Sequence, residues 1–172
     1  MSREFIAQIV GCIGIVVFLA CYHTKDMRSA RKVKLATDVI WATHFFMLGA
    51  YAGGCTNTIS IFRELVFLNQ DKKLFKSRIW MYFFIGLNYI CAIITWKGIF
   101  NIFPAVAATL GTISFWQKDI RVARWMGLIV GLLMFTYDTW SGSYMGMVAE
   151  TLSTCSILIA LYRNRRPRET KK

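Results

Sequence analysis

Charge is scarce in this 172-residue chain: 17% of the residues are charged, against roughly a quarter in an average soluble domain, and only nine are acidic. On a chain that is 56% apolar and 15% aromatic, that scarcity excludes disorder and argues against a soluble globule. Histidine is nearly absent, with only His23 and His44, so a Cys/His zinc site has no spacing to stand on. The five cysteines, Cys12, Cys21, Cys55, Cys91 and Cys155, lie in or beside apolar segments without a CxxC, which points to buried free thiols. No nucleotide motif occurs, and no metal or cofactor is expected.

What the chain has instead is apolar blocks of about 17 to 20 residues, enough to cross a hydrocarbon core of about 30 Å as helix. Spans are predicted near Phe5 to Tyr22, Leu35 to Gly53, Cys55 to Leu68, Ile79 to Trp96, Ile99 to Trp116, Val122 to Tyr137 and Ser143 to Tyr162. The third is interrupted by Arg63 and Glu64, so six spans plus a re-entrant or interfacial segment is the alternative. The first block is read as a retained helix and not a signal peptide, because Arg3 and Glu4 nearly cancel before it and the basic run follows it.

Twenty-one Lys and Arg against nine Asp and Glu give a net charge of +12. The basic residues fall in short runs between apolar blocks, without the aromatic interleaving of a single-strand groove, so no nucleic-acid partner is expected. They read as topology. With the N-terminus outside (periplasmic) and the C-terminus cytoplasmic, eighteen Lys and Arg lie inside and only Arg3 and Lys97 outside. Trp80, Trp116 and Trp125 then fall at the inner boundary and Trp96 and Trp140 at the outer.

Sliding the chain against itself by 93 residues superposes Lys25-Asp-Met-Arg-Ser-Ala-Arg31 on Lys118-Asp-Ile-Arg-Val-Ala-Arg124, and Gly49, Tyr51 and Gly53 on Gly142, Tyr144 and Gly146. Across Tyr22 to Gly53 ten of thirty-two positions are identical. The expected fold is an all-α membrane protein of seven transmembrane helices, two parallel three-helix repeats joined by a linker helix (3+1+3). The units are 1–70 for the first bundle, 71–97 for the linker, 98–163 for the second bundle and 164–172 for a basic cytoplasmic tail. The two KD-x-R-x-AR runs lack a glycine-rich phosphate cradle and read as topogenic signals, with Asp26 and Asp119 salt-bridged locally.

His44-Phe-Phe-Met-Leu-Gly-Ala-Tyr51 followed by Arg63, and Trp140-Ser-Gly-Ser-Tyr-Met-Gly146 with Glu150, resemble the paired signatures of the YgjV family of bacterial inner-membrane proteins. The resemblance covers nearly the whole chain and implies a multi-pass protein of the bacterial plasma (inner) membrane. It also implies kinship with the SWEET, SemiSWEET and PQ-loop (MtN3-like) carriers and the KDEL receptor, hence a fold more than a substrate. One departure stands out: SWEET and PQ-loop helices carry hinging prolines in both repeats, whereas this chain has Pro104 in the fifth span, Gly11 at the equivalent place in the first, and Pro167 in the tail.

Ionised groups in hydrocarbon cost about 2.5 to 3.5 kcal/mol each even on the lenient insertion scale, so the intramembrane ones need a reason. The 93-residue offset places Asn57 on Glu150 and Ser60 on Ser153, two polar stripes expected to face each other. With Trp41 and His44 they form the candidate substrate site, and by the resemblance Asn57 and Glu150 take the binding role that polar residues have on the third and seventh SWEET helices. Interhelical hydrogen bonding is the alternative for each. His44 is read either as a proton shuttle with Glu150 or as a neutral ring bonded to a carbonyl. Asp38, Arg63 and Glu150 are the candidates for proton coupling or an ion pair. Glu64, about 100° round the helix from Arg63, is expected to be a poor partner for it, and Asp138 is read as solvated at the outer end.

The function expected is a small secondary transporter or facilitator of a polar solute, a sugar or amino acid, working by alternating access in the lipid bilayer. A non-transporting ligand receptor or assembly factor on the same fold is the alternative, and self-association into a homo-oligomer is left open. An enzyme is not expected: zinc-dependent seven-span hydrolases need more histidines, no histidine follows Ser141 or Ser143, and the last span has no lysine for retinal.

Overall fold

In lipid a backbone has no water to bond, so an apolar block meets its own hydrogen bonds by coiling into helix. The computed structural model describes residues 3–20, 24, 26–116 and 120–163. Cys21, Tyr22, His23, Lys25, Lys118, Asp119 and the basic segment 164–172 lie outside the described residues. Among the described residues the chain is all-helical: α1 Arg3–Ala20, α2 Met27–Met47, α3 Tyr51–Leu68, α4 Ile79–Ile94, α5 Ile102–Trp116, α6 Ile120–Ser141 and α7 Tyr144–Arg163, with a 3-10 turn at Ile99–Asn101 leading into α5.

Three stretches, Arg3–Ala20, Ile99–Trp116 and Tyr144–Tyr162, are long and apolar enough to cross a bilayer, and Ile79–Ile94 is apolar but shorter. The others carry charge, as in the Arg28-to-Asp38 stretch of α2. α3 runs unbroken through Arg63 and Glu64. Helix boundaries differ from the apolar windows most at α2. α2 begins at Met27, where Asp26 accepts a hydrogen bond from the Ser29 amide at 2.8 Å, and it ends at Met47. Apolarity continues past that point, but Gly49 adopts φ +72°, a left-handed turn that halts the helix, so α3 starts at Tyr51.

The α6–α7 junction turns the same way. Gly142 also has φ +72°, and Ser143 N donates to Asp138 O at 2.9 Å just as Ala50 N donates to Phe45 O at 2.9 Å. Each of these residues is 93 positions from its counterpart.

The helices close a ring. α1 packs on α2, α2 on α3, α3 on α5, α5 on α6, α6 on α7 and α7 on α1, while α4 lies outside against α3 and α5. Between helices in lipid the driving force is close packing, which small residues permit. A Cβ on Gly11 would come within 2.6 Å of Met145 Cβ, and one on Gly14 within 3.2 Å of Trp41. Away from the ring α4 shows bare aliphatic surface, with Ile93 and Ile94 72% and 78% exposed, as a lipid-facing helix should.

Arg31 closes the basic end of the first half. Its guanidinium donates to Phe67 O and Phe115 O, each at 2.6 Å, and to Gln70 Oε1 at 3.1 Å. It thereby binds α2 to carbonyls at the ends of α3 and α5. Arg31 is thus a buried clamp as well as part of a basic run, and Asp26 caps a helix where a local salt bridge was expected.

Candidate functional site

The ring encloses a cavity of about 220 Å³ walled by α1, α2, α3, α5, α6 and α7. Trp41, Asn57, Ser60, Arg63, Glu150 and Ser153 all stand on its wall. The wall extends toward the basic end as far as Thr24, Met27 and Arg124, and toward the other end to Phe45 and Asp138.

Asn57 spends its amide on its own helix, Nδ2 donating to Gly53 O at 2.9 Å. Lys34, on the wall, forms an ion pair with Asp38 one turn along α2, so Asp38 stands behind the wall. Arg63 departs from expectation. Its Nη2 and Nε donate to Glu64 Oε1 at 2.9 and 3.2 Å, and its Nη1 donates to Thr112 Oγ1 on α5 at 3.0 Å. The long arginine side chain folds back round the helix to reach its neighbour, overcoming the angular separation, because both groups are buried and neither can leave its charge unmatched.

His44 also differs from the shuttle expectation. It is fully buried and off the cavity wall. Its Nδ1 lies 2.7 Å from Ala7 O and its Nε2 2.8 Å from Ser143 Oγ. A carbonyl only accepts, so Nδ1 carries a proton, while Nε2 is hydrogen-bonded to the Ser143 hydroxyl. Ser143 Oγ in turn accepts from Gly146 N at 3.2 Å, capping α7. The ring is therefore a hydrogen-bonded joint between α1, α2 and the start of α7. The pair of Ser143 with a histidine comes from an earlier helix, beyond the reach of a search for a histidine following the serine.

A second joint stands at the matching place. Tyr137, 93 residues from His44, accepts a hydrogen bond from Gly53 N at 3.0 Å, linking α6 to the first turn of α3. Space for the ring comes from Gly53, where a Cβ would come within 2.9 Å of Tyr137. Asp138, expected in solvent, is 1% exposed, and its Oδ1 has no hydrogen-bond partner. Sequence inspection missed Asp138, Lys34 and Arg124 as wall residues. The signal available was the offset, which sets Lys34 and Asp38 against Gly127 and Gly131 and so marks one half as charged and the other as open.

No group of three or more His, Cys, Asp or Glu suited to a metal occurs among the described residues. The arrangement is a largely apolar cavity with a few polar side chains on its wall, two buried ion pairs on one side and carboxylates on the other. It offers hydrogen bonds and charge to a small molecule.

No solved structure matches this chain. A curated relative, the inner membrane protein YgjV of Escherichia coli (strain K12), is 21% identical over 154 residues, covering 87% of this chain and 79% of the relative. The family model described as "Bacterial inner membrane protein", Imp-YgjV, matches residues 5–168. With nearly its whole length inside that match, the chain belongs to the YgjV family of bacterial inner membrane proteins.

Proposed function

We propose that this protein is a small secondary carrier or facilitator that moves a polar solute, a sugar or an amino acid, across the inner membrane by alternating access. In this reading all seven helices cross the bilayer as two parallel three-helix repeats with α4 between them, N-terminus periplasmic and C-terminus cytoplasmic. The fold is then of the SWEET and PQ-loop kind. Trp41, Asn57, Ser60, Glu150 and Ser153 contact the solute, while Asp38 and Arg63 hold the wall through their ion pairs.

One observation carries the reading. Six helices ring a cavity whose mainly apolar wall carries a few polar and charged side chains, and two hydrogen-bonded joints, His44 to Ser143 and Tyr137 to Gly53, tie the halves together at one end. Each joint runs from the middle helix of one half, at positions 44 and 137 that are 93 residues apart, to the start of the last helix of the other, as a gate between two rocking halves would. The paired turns at Gly49 and Gly142 support the repeat in the same way. Gly11 and Pro104 occupy equivalent places in α1 and α5, so helix bending is divided between a glycine and a proline.

The test is solute flux into proteoliposomes containing only the purified protein, with a panel of sugars and amino acids and with Glu150→Gln as comparison. Saturable uptake lost in the variant is the expected result. Binding without flux would favour a ligand receptor or assembly factor using the same cavity.

A further inference from the structure

The charges on the cavity wall are unevenly matched. On the α2–α3 side every acid has its base: Lys34 bonds Asp38 and Arg63 bonds Glu64. On the α6–α7 side Glu150 and Asp138 line the same cavity, and neither forms an ion pair among the described residues. Glu150 feels Lys34 only through space, while Asp138 has the Ser143 hydroxyl beside it and keeps its Oδ1 buried without a hydrogen-bond partner.

Glycines give both carboxylates room to pack against a helix backbone, Asp138 fully buried and Glu150 partly so. A Cβ on Gly131 would stand 3.3 Å from Glu150 Oε2, and one on Gly146 would stand 2.6 Å from Asp138 Oδ1. Asp138 therefore lies over Gly146, one turn before Glu150 on α7, which sets the two acids about 6 Å apart along the helix. An ammonium nitrogen at about 2.8 Å from an oxygen of each spans roughly that distance and has three N–H groups to donate. Arg124, whose Nη1 is buried without a hydrogen-bond partner, lines the wall about two turns nearer the basic end, where an anionic group on the same solute would meet it.

Resting on the carrier reading, we propose that the cavity takes a small solute by its protonated amine, held between Glu150 and Asp138. Carboxylates withdrawn from water without a counter-charge are costly. An ammonium supplies that charge and a sugar does not. Amino compounds are thus the substrate class, with an amino acid's carboxylate directed toward Arg124.

Calorimetric titration of the full-length protein in detergent with ethanolamine, L-alanine, L-lactate and D-glucose tests this. Ethanolamine and L-alanine bind, L-lactate and D-glucose do not, and Glu150→Gln and Asp138→Asn each weaken binding about tenfold or more. Because either variant risks misfolding, the wild type is also labelled with dicyclohexylcarbodiimide and the modified carboxyl mapped by mass spectrometry. Ethanolamine slows modification of Glu150, and D-glucose leaves it unchanged. Lactate or glucose binding as well as ethanolamine, labelling indifferent to ethanolamine, or no amine binding up to about 100 mM overturns the proposal. Flux separates it from the reading beneath it. Ethanolamine bound but not transported in proteoliposomes sinks the carrier and leaves the amine site, whereas glucose transported without ethanolamine does the reverse.

Discussion

The two halves related by the 93-residue offset share their turns and differ in their chemistry. The first half places Lys34, Asp38, Arg63 and Glu64 around the cavity and cancels them against one another. The same offset puts Gly127, Gly131, Ser156 and Ile157 in the second half, leaving Glu150 with nothing opposite it on its own side. Local turns such as those at Gly49 and Gly142 depend on a few backbone angles and tolerate little change, whereas wall residues are free to diverge once the helices are in place. One half is a charge-locked strut, and the other carries carboxylates without ion-pair partners among the described residues.

The sharpest way to break this contrast is to unlock the strut. Arg63→Ala leaves Glu64 buried and alone and should lower stability by about 3 to 5 kcal/mol, whereas removing both charges with Arg63→Leu and Glu64→Leu together should restore most of it. Thermal unfolding in detergent measures both; a double variant no more stable than the single would mean that the pair is not matched as described. Next come the joints. Tyr137→Phe strands the Gly53 amide and should cost about 1 to 3 kcal/mol, with Ser143→Ala costing a similar amount at the other joint. If only one of them destabilises, the two ends of the ring are not equivalent.

A smaller effect is expected on the wall of the other half. Gly131→Ala places a methyl beside Glu150 and should cut solute binding several-fold, with a smaller loss of stability than the strut or joint variants. Unchanged affinity in that variant would place the solute elsewhere. The smallest effect lies outside the bilayer, at Asp26. Its hydrogen bonds from Ser29, the backbone amide foremost, hold its carboxyl below the usual value. A depressed folded-state value contributes stability that is present above the ordinary carboxylate range and lost as pH falls through the lower folded value. Asp26→Ala should therefore flatten the acid limb of unfolding temperature against pH, and an unaltered limb would show that the cap carries no such linkage.

Much of this was legible in the residues. Long apolar blocks announce membrane helices because lipid admits little else, and the offset announces paired turns. The same arithmetic sets Asn57 opposite Glu150 in register, and both stand on the cavity wall. Side-chain reach was not legible. Arg63 bends back to Glu64, Arg31 crosses to two helix ends, and His44 finds Ser143 99 residues away. Window-based boundaries failed at α2 for a related reason: apolarity reports depth in lipid, while a left-handed glycine decides where a helix stops.

Composition and periodicity by themselves determined that the chain is helical and membrane-embedded, because hydrogen-bond satisfaction in hydrocarbon is a local requirement that each segment meets alone. Only the tertiary structure decided which buried charges are cancelled and which stand open to the cavity. That outcome depends on where flexible side chains from different helices meet, and no spacing along one chain encodes it.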